Sequence, residues 1–378
     1  MRKKSLFLLL VILFILGIAY QNADRDNFGF SPPVTGQVPG MANIHGIETD
    51  HSFDPPSTNP DDWEILNDGN PIVHHSQTIG GRKIDPVGFY LTQNNLALFY
   101  NNAWSEYDKY FEIYGERGYS GSRTQAGSLM AFDEDWNLRD YYDNPVFDEP
   151  QRAWQGRDRT NPYALVWHPD HEVFYLFYGD FAEGGDNDKY PGRRALGVAK
   201  SKDIINWEYL TKNRPLFHIL DMVDFSPETF SGISDVTRQG RVYAFGATFH
   251  DGYIYLQVGG STNRELDYVF TIRSQDPMNG WEYVRSPQHR PMPFYFARKW
   301  YTVRNIRDPN DPEKRAIGLV HGDTLDDLDH EPDYLFSTGF SSSAGVSRQL
   351  FMYQGRWYIA FRQSDEEDYR SMYIAKQK

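Results

Sequence analysis

The stretch Ser201-Lys202-Asp203-Ile204-Ile205-Asn206-Trp207-Glu208 decides the fold, because it recurs. Related stretches stand at Asp61-Asp62-Trp63-Glu64, at Asp133-Glu134-Asp135-Trp136, and at Ser274-Gln275-Asp276 running on to Trp281-Glu282. The tryptophans are spaced 136 − 63 = 73, 207 − 136 = 71 and 281 − 207 = 74 residues apart. Self-similarity at a fixed period is the signature of a repeat architecture. A period near 70 residues is too long for one hairpin or one solenoid turn. It fits a four-stranded propeller blade with generous loops.

The rest of a blade can be read around Trp207. Residues 163–167, the turn His168-Pro169-Asp170-His171 and residues 173–178 form a hairpin of two buried strands. Residues 195–199 supply a third strand and residues 207–210 a fourth. The first repeat offers 87–91, 96–100 and 128–131 and closes at 144–147; the third copies the hairpin with 243–245 and 253–258. A degenerate fourth repeat has 294–296, 300–303, 316–320 and 334–336. The last has 350–353, 357–361 and 372–375 but no fourth strand, whereas Trp63 to Val73 is a fourth strand without its three companions. Joining the two leftovers closes a ring and removes an exposed sheet edge. The expected fold is all-β: a five-bladed β-propeller of four-stranded blades, closed by an N-terminal strand in the C-terminal blade. The tryptophans are assigned to packing between outer strands.

Composition agrees with strands and turns. Among 378 residues there are 26 Tyr, 25 Phe, 31 Gly and 22 Pro. The formal net charge of −14 argues against nucleic acid, since an acidic surface gains nothing from phosphate counterions. No cysteine is present, which excludes disulfides, thiol chemistry, thiolate metal sites and a lipidated cysteine. Arg2, Lys3 and Lys4 precede an apolar run from Leu6 to Tyr20, a signal peptide or uncleaved signal anchor. The protein is therefore expected to be exported, and to be periplasmic, secreted or membrane-anchored through that helix. The expected organisation is a signal segment at 1–25, a linker or wrapping arm at 26–56, and the propeller at 57–378.

Three stretches carry a resemblance to a known family: Asp85-Pro86, residues 173–179, and residues 195–203 running on to Trp207-Glu208. In these the chain resembles the five-bladed propeller glycoside hydrolases, the superfamily of α-L-arabinofuranosidases, β-xylosidases (family 43) and fructosidases. The resemblance implies an axial funnel lined by the loops that lead into the innermost strands, and a carbohydrate substrate. Glycoside hydrolysis needs one carboxylate as base or nucleophile and one carboxylic acid to protonate the leaving oxygen. Asp85 matches the place of the family's base. In blade two the family's Arg-Asp-Pro is replaced by Arg157-Asp158-Arg159-Thr160-Asn161-Pro162, so Asp158 either serves after a small shift or is ion-paired to its flanking arginines. Blade three has no Glu in its inner strand, and the nearest acids upstream are Glu228 and Asp235.

Asn161, Arg241 and Arg348 are candidate substrate-binding residues, and several arginines in one funnel would suit an anionic sugar. Trp104, Trp154 and Trp167 are candidate stacking platforms for pyranose faces, with core packing the competing role for Trp167. His74-His75 and His168/His171 lack a third partner at metal-ligand spacing. No cofactor is expected. The resemblance leaves room for an axial calcium, for which the sequence identifies no ligands. Two other readings compete: a glycan-binding propeller that has lost its acid, and an interaction propeller tethered at the membrane.

Overall fold

The computed structural model describes residues 53–78, 81–91, 96–104, 125–141, 146–147, 161–181, 194–217, 241–261, 268–289, 292–341, 348–364 and 370–378. The proposed signal segment 1–25 and the arm as far as residue 52 lie outside them. The strands follow in chain order. β1 (Trp63–Ile65) stands apart from blade one, which comprises β2 (Gly81–Leu91), β3 (Leu96–Trp104), β4 (Gln125–Phe132) and β5 (Leu138–Tyr141). Blade two comprises β6 (Asn161–His168), β7 (Val173–Phe181), β8 (Arg194–Ser201) and β9 (Glu208–Tyr209). Blade three has β10 (Arg241–His250), β11 (Tyr253–Ser261), β12 (Tyr268–Ser274) and β13 (Glu282–Arg285). Blade four has β14 (Phe294–Phe296), β15 (Lys299–Arg307), β16 (Lys314–Gly322) and β17 (Asp333–Ser341). Blade five has β18 (Arg348–Tyr353), β19 (Arg356–Ser364) and β20 (Arg370–Gln377), and β1 completes it.

The molecule is thus a five-bladed propeller of four-stranded antiparallel blades. Ring closure is as the repeat required: β1 pairs antiparallel with β20, with Trp63 opposite Gln377 and Ile65 opposite Ala375. Val73 extends the seam by a bridge to Met372. The tail of the arm joins in, since Asp54 O accepts from Trp357 Nε1 at 2.8 Å and Phe53 packs on the core between blades four and five. One element differs from the sequence reading. Blade one closes with β5, directly after Trp136, and of the 144–147 stretch the described residues 146–147 contribute the Gly127–Phe147 bridge.

Among the described residues the buried apolar side chains fall into five clusters, each in the seam between two neighbouring blades. The repeated tryptophans are wedges in these seams rather than ties within a blade. Trp136 of blade one packs on Phe351 and Tyr358 of blade five, at 6.1 and 5.3 Å between ring centroids. Trp207 packs on Phe99 and Phe147 of blade one, Trp281 on Phe177 and Phe217 of blade two, and Trp63 on Phe336 of blade four. Each leans on the blade before it in the ring. Blade four has no such tryptophan. There the buried Leu328, in the 3-10 turn Asp326–Asp329, fills the seam beside Tyr255 and Trp300. Arg285 of blade three reaches across it to Asp326 and Asp329, and Arg304 donates to the carbonyls of Leu328 and His330. His330 therefore belongs to a turn.

The aspartates of the repeat set the wedge. Asp203 Oδ1 accepts from the backbone N–H groups of Ile205 (2.9 Å) and Asn206 (2.7 Å), and Oδ2 accepts from Asn206 Nδ2 at 2.6 Å. This clasp holds the buried, β-branched Ile204 at φ +61°, a left-handed conformation it would otherwise avoid. Asp133 and Asp276 build the same turn with Asn137 and Asn279. Partial burial pushes the Asp203 carboxyl up, but these hydrogen bonds outweigh it and hold the group below the usual carboxylate range. Its folded pKa lies below its unfolded one, so its contribution is complete above the unfolded pKa of about 3.9 and lost as pH falls through the folded value. Replacing Asp203 by Ala is expected to cost roughly 1–3 kcal/mol at neutral pH. In urea titrations across pH, the gap from wild type should close only below about pH 4.

Candidate active site

Each innermost strand runs from the loop that leads into it toward the hairpin turn that leaves it, so the axis has a funnel face and a hairpin face. Near the funnel end, blades one to three share one irregularity. The register of β2 against β3 slips at Val87, that of β6 against β7 at Tyr163, and that of β10 against β11 at Phe245. A bulge adds one residue and re-aims the side chains around it. Counting two residues upstream of each bulge makes Asp85, Asn161 and Tyr243 equivalent positions in successive blades. Asp85 lies opposite Asn101, Asn161 opposite Gly179, and Tyr243 opposite Gly259. Gly179 is required here, because a Cβ would run into the Tyr163 ring.

Asp85 sits in the seam between blades one and five. Arg362 of β19 pairs with its Oδ1, and Arg370 Nη1 donates at 3.1 Å to Oδ2 and 3.4 Å to Oδ1. The carboxylate keeps 16% of its side-chain exposure, and the two arginines keep 15% and 18%. The trio is therefore sheltered but still reached by solvent. Backbone geometry fixes it: Lys83 of β2 meets Arg370 of β20 in the single parallel pair between these strands. On the other side, the buried Asn101 donates through Nδ2 to Asn161 Oδ1 at 3.4 Å, tying blade one to blade two.

The remaining sequence candidates separate by place. Asn161 is buried at the Asp85-equivalent position. Arg241 and Arg348 are the first residues of β10 and β18, and Trp104 is the last of β3, opposite Gly81. Asp158, Glu228, Asp235 and Trp154 lie outside the described residues. Trp167 is half-buried far from Asp85, packed on Phe174 at 4.8 Å near the hairpin face. Among the described residues no cluster of three or more His, Cys, Asp or Glu side chains could hold a metal ion. The partners of Asp85 were not found by sequence reading. The available signal was that Arg362 and Arg370 flank the acidic run Asp365-Glu366-Glu367-Asp368 in the sequence.

A cavity of about 610 Å³ is lined by residues of all five blades, among them Val87, Leu165, Ala247, Phe294 and Leu350.

No family model and no curated protein matches this sequence. Solved structures do match in shape. A protein described as "Glycoside hydrolase" superposes with a TM-score of 0.51 at 12% identity, over 80% of this chain and 89% of its own. A second, described as BT0996 in an RGII complex, superposes with a TM-score of 0.50 at 12% identity, over 88% of this chain and 92% of its own. What is shared is the fold.

If the arginines and Asp85 act as one unit, their effects on stability cannot add. A double-mutant cycle over Asp85→Asn and Arg370→Met, read by urea unfolding, should give a coupling of about 0.5–3 kcal/mol. Additive effects would show that the contact contributes nothing.

Proposed function

We propose that the protein is an exported glycoside hydrolase that cleaves polysaccharide-derived oligosaccharides in the axial funnel, with Asp85 as base or nucleophile. The observation that carries this reading is a partly exposed carboxylate near the funnel end of the first innermost strand, in a fold shared with a glycoside hydrolase. The arginine pair supports the role. Two guanidinium groups fix the carboxylate's position, and a reacting group must be held to within a fraction of an ångström to be effective. The general acid is assigned to Glu228 or Asp235 in the loop leading into β10, with Asp158 as a third carboxyl that tunes it. For a retaining enzyme the two reacting carboxyls would stand about 5–5.5 Å apart, and for an inverting one about 6.5–9.5 Å. Arg241 and Arg348 open their strands at the same face and would serve an anionic sugar. Export rests on the cationic head and apolar run of residues 1–25.

A second reading has a specific observation behind it. Both oxygens of Asp85 are engaged by arginines, as in a carboxylate that clamps two blades together. On that reading the funnel binds glycans without cleaving them.

The two readings separate in one comparison. A panel of plant and algal oligosaccharides is incubated with residues 26–378, wild type and Asp85→Asn, and product and thermal midpoint are followed together. Hydrolysis by the wild type that falls by several orders of magnitude in a variant of nearly unchanged midpoint establishes the hydrolase. Binding without turnover by the wild type, with a sharp fall in midpoint for the variant, establishes the glycan-binding clamp.

A further inference from the structure

Phe53 and Asp54 mark where the N-terminal arm reaches the propeller. A Cβ added to Gly355, in the turn between β18 and β19, would stand 2.7 Å from the Phe53 ring. The arm therefore arrives at the hairpin face of blade five. The Trp357 indole N–H donates to Asp54 O at 2.8 Å, and the same indole meets Phe294 edge-on, with ring centroids 5.5 Å apart. Phe294 lines the cavity of about 610 Å³, so Trp357 touches both the end of the arm and the cavity wall. The lining also includes the exposed Pro169 and Asp251, in the hairpin turns of blades two and three. The cavity thus opens on the face at which the arm arrives.

The walls state what an occupant must bring. Trp167, Phe249, Phe294 and Tyr295 are only half-buried, which leaves ring surface to be covered. Asp251, at the rim, is the one lining residue of the types Asp, Glu, Lys and Arg. The Thr248 hydroxyl donates to Pro293 O and the Tyr90 hydroxyl to Leu165 O. The other polar groups of the lining are the Trp167 indole N–H, the His250 ring, the Tyr295 hydroxyl and the Gln349 carboxamide, whose oxygen is buried. A peptide meets both demands. Its apolar side chains cover the rings, and its backbone offers a donor and an acceptor at each residue.

The arm has the matching composition. Residues 27–47 contain no Asp, Glu, Lys or Arg, in a chain whose charged share is 24%. Phe28, Phe30, Ile44 and Ile47 are among their apolar residues. A stretch that stays solvated is usually rich in charge and poor in such side chains. Reach is sufficient: Ile44 and Ile47 precede Phe53 by 53 − 44 = 9 and 53 − 47 = 6 residues. At about 3.3–3.6 Å per extended residue, those lengths span about 20–30 Å. Tethering also holds the segment at an effective concentration in the millimolar range, so a modest intrinsic affinity suffices.

From this geometry we infer that the cavity is the docking site of the protein's own arm. Residues 27–47 cross the hairpin face and seat Ile44 and Ile47 among Trp167, Phe249, Phe294 and Tyr295. The inference does not depend on whether the funnel hydrolyses sugars.

The chain has no cysteine, so one introduced thiol reports on the cavity without background. The test compares residues 26–378 carrying Ala247→Cys with the same protein in which a Gly/Ser segment of equal length replaces residues 27–47. Maleimide labelling should be roughly tenfold slower with the native arm, the factor for a seat vacant about one-tenth of the time. Ile44→Ser combined with Ile47→Ser should abolish most of that protection. A thiol at the exposed Glu313 (Glu313→Cys), outside the cavity lining, should label equally with either arm. Val166→Cys provides a second position in the lining should Ala247→Cys fold poorly. Equal labelling of the cavity thiol with the native and Gly/Ser arms overturns the proposal. So does protection that rises with protein concentration, which would assign the cavity to a second copy of the chain.

Discussion

The structure depends on one recurring constraint: each blade must present an apolar wedge to the blade before it. A four-stranded blade has two apolar faces and cannot bury either alone, so the seams between blades are the core. In four seams the wedge is a tryptophan placed by an aspartate-clasped turn after the third strand, or by the equivalent segment ahead of β1. The geometry is set locally, by hydrogen bonds spanning two to four residues, while the energy is gained across blades. That division explains why the motif repeats so closely although the strands around it vary. Blade four shows the constraint from its exception. Its wedge is Leu328, a smaller side chain, and its seam has the smallest buried cluster of the five. The shortfall is met by Arg285 and Arg304, which bind the same 3-10 turn through carboxylate and carbonyl oxygens.

The seam between blades five and one has a further duty. It is closed by chain segments far apart in sequence, with β20 held by β1 on its outer side and touching β2 at Lys83–Arg370. Asp85 stands in this seam, and its arginine partners come from the blade that the N-terminal strand completes. The position of the candidate catalytic carboxylate is thereby linked to ring closure.

Much of this was legible in the sequence for physical reasons. The tryptophan spacing reports the blade length directly, because the wedge must fall at the same place in every blade. The alternating apolar runs identified nearly every strand, including those of the degenerate blade four. The 144–147 stretch misled because Asn144-Pro145 looks like a strand-closing turn, whereas the wedge at Trp136 already starts the outer strand at Leu138. Asp85 could be picked out from Asp85-Pro86 at the start of a strand, but Arg370 could not, since 285 residues separate the two and only the ring brings them together. The equivalence of Asp85, Asn161 and Tyr243 was hidden too, because a bulge is a property of pairing register and leaves little trace in a single strand. Glu228, Asp235 and Asp158 lie outside the described residues.

The most direct measurement is a crystal structure of the Asp85→Asn protein with a bound oligosaccharide. The account requires the sugar in the funnel, with the substituted side chain beside the anomeric carbon, within hydrogen-bond reach of it or of one intervening water, and a second carboxyl from the loop leading into β10 near the glycosidic oxygen. An oligosaccharide seated elsewhere, or the substituted side chain still locked between Arg362 and Arg370 with no sugar approaching it, would contradict the catalytic role and leave Asp85 as a clamp between blades.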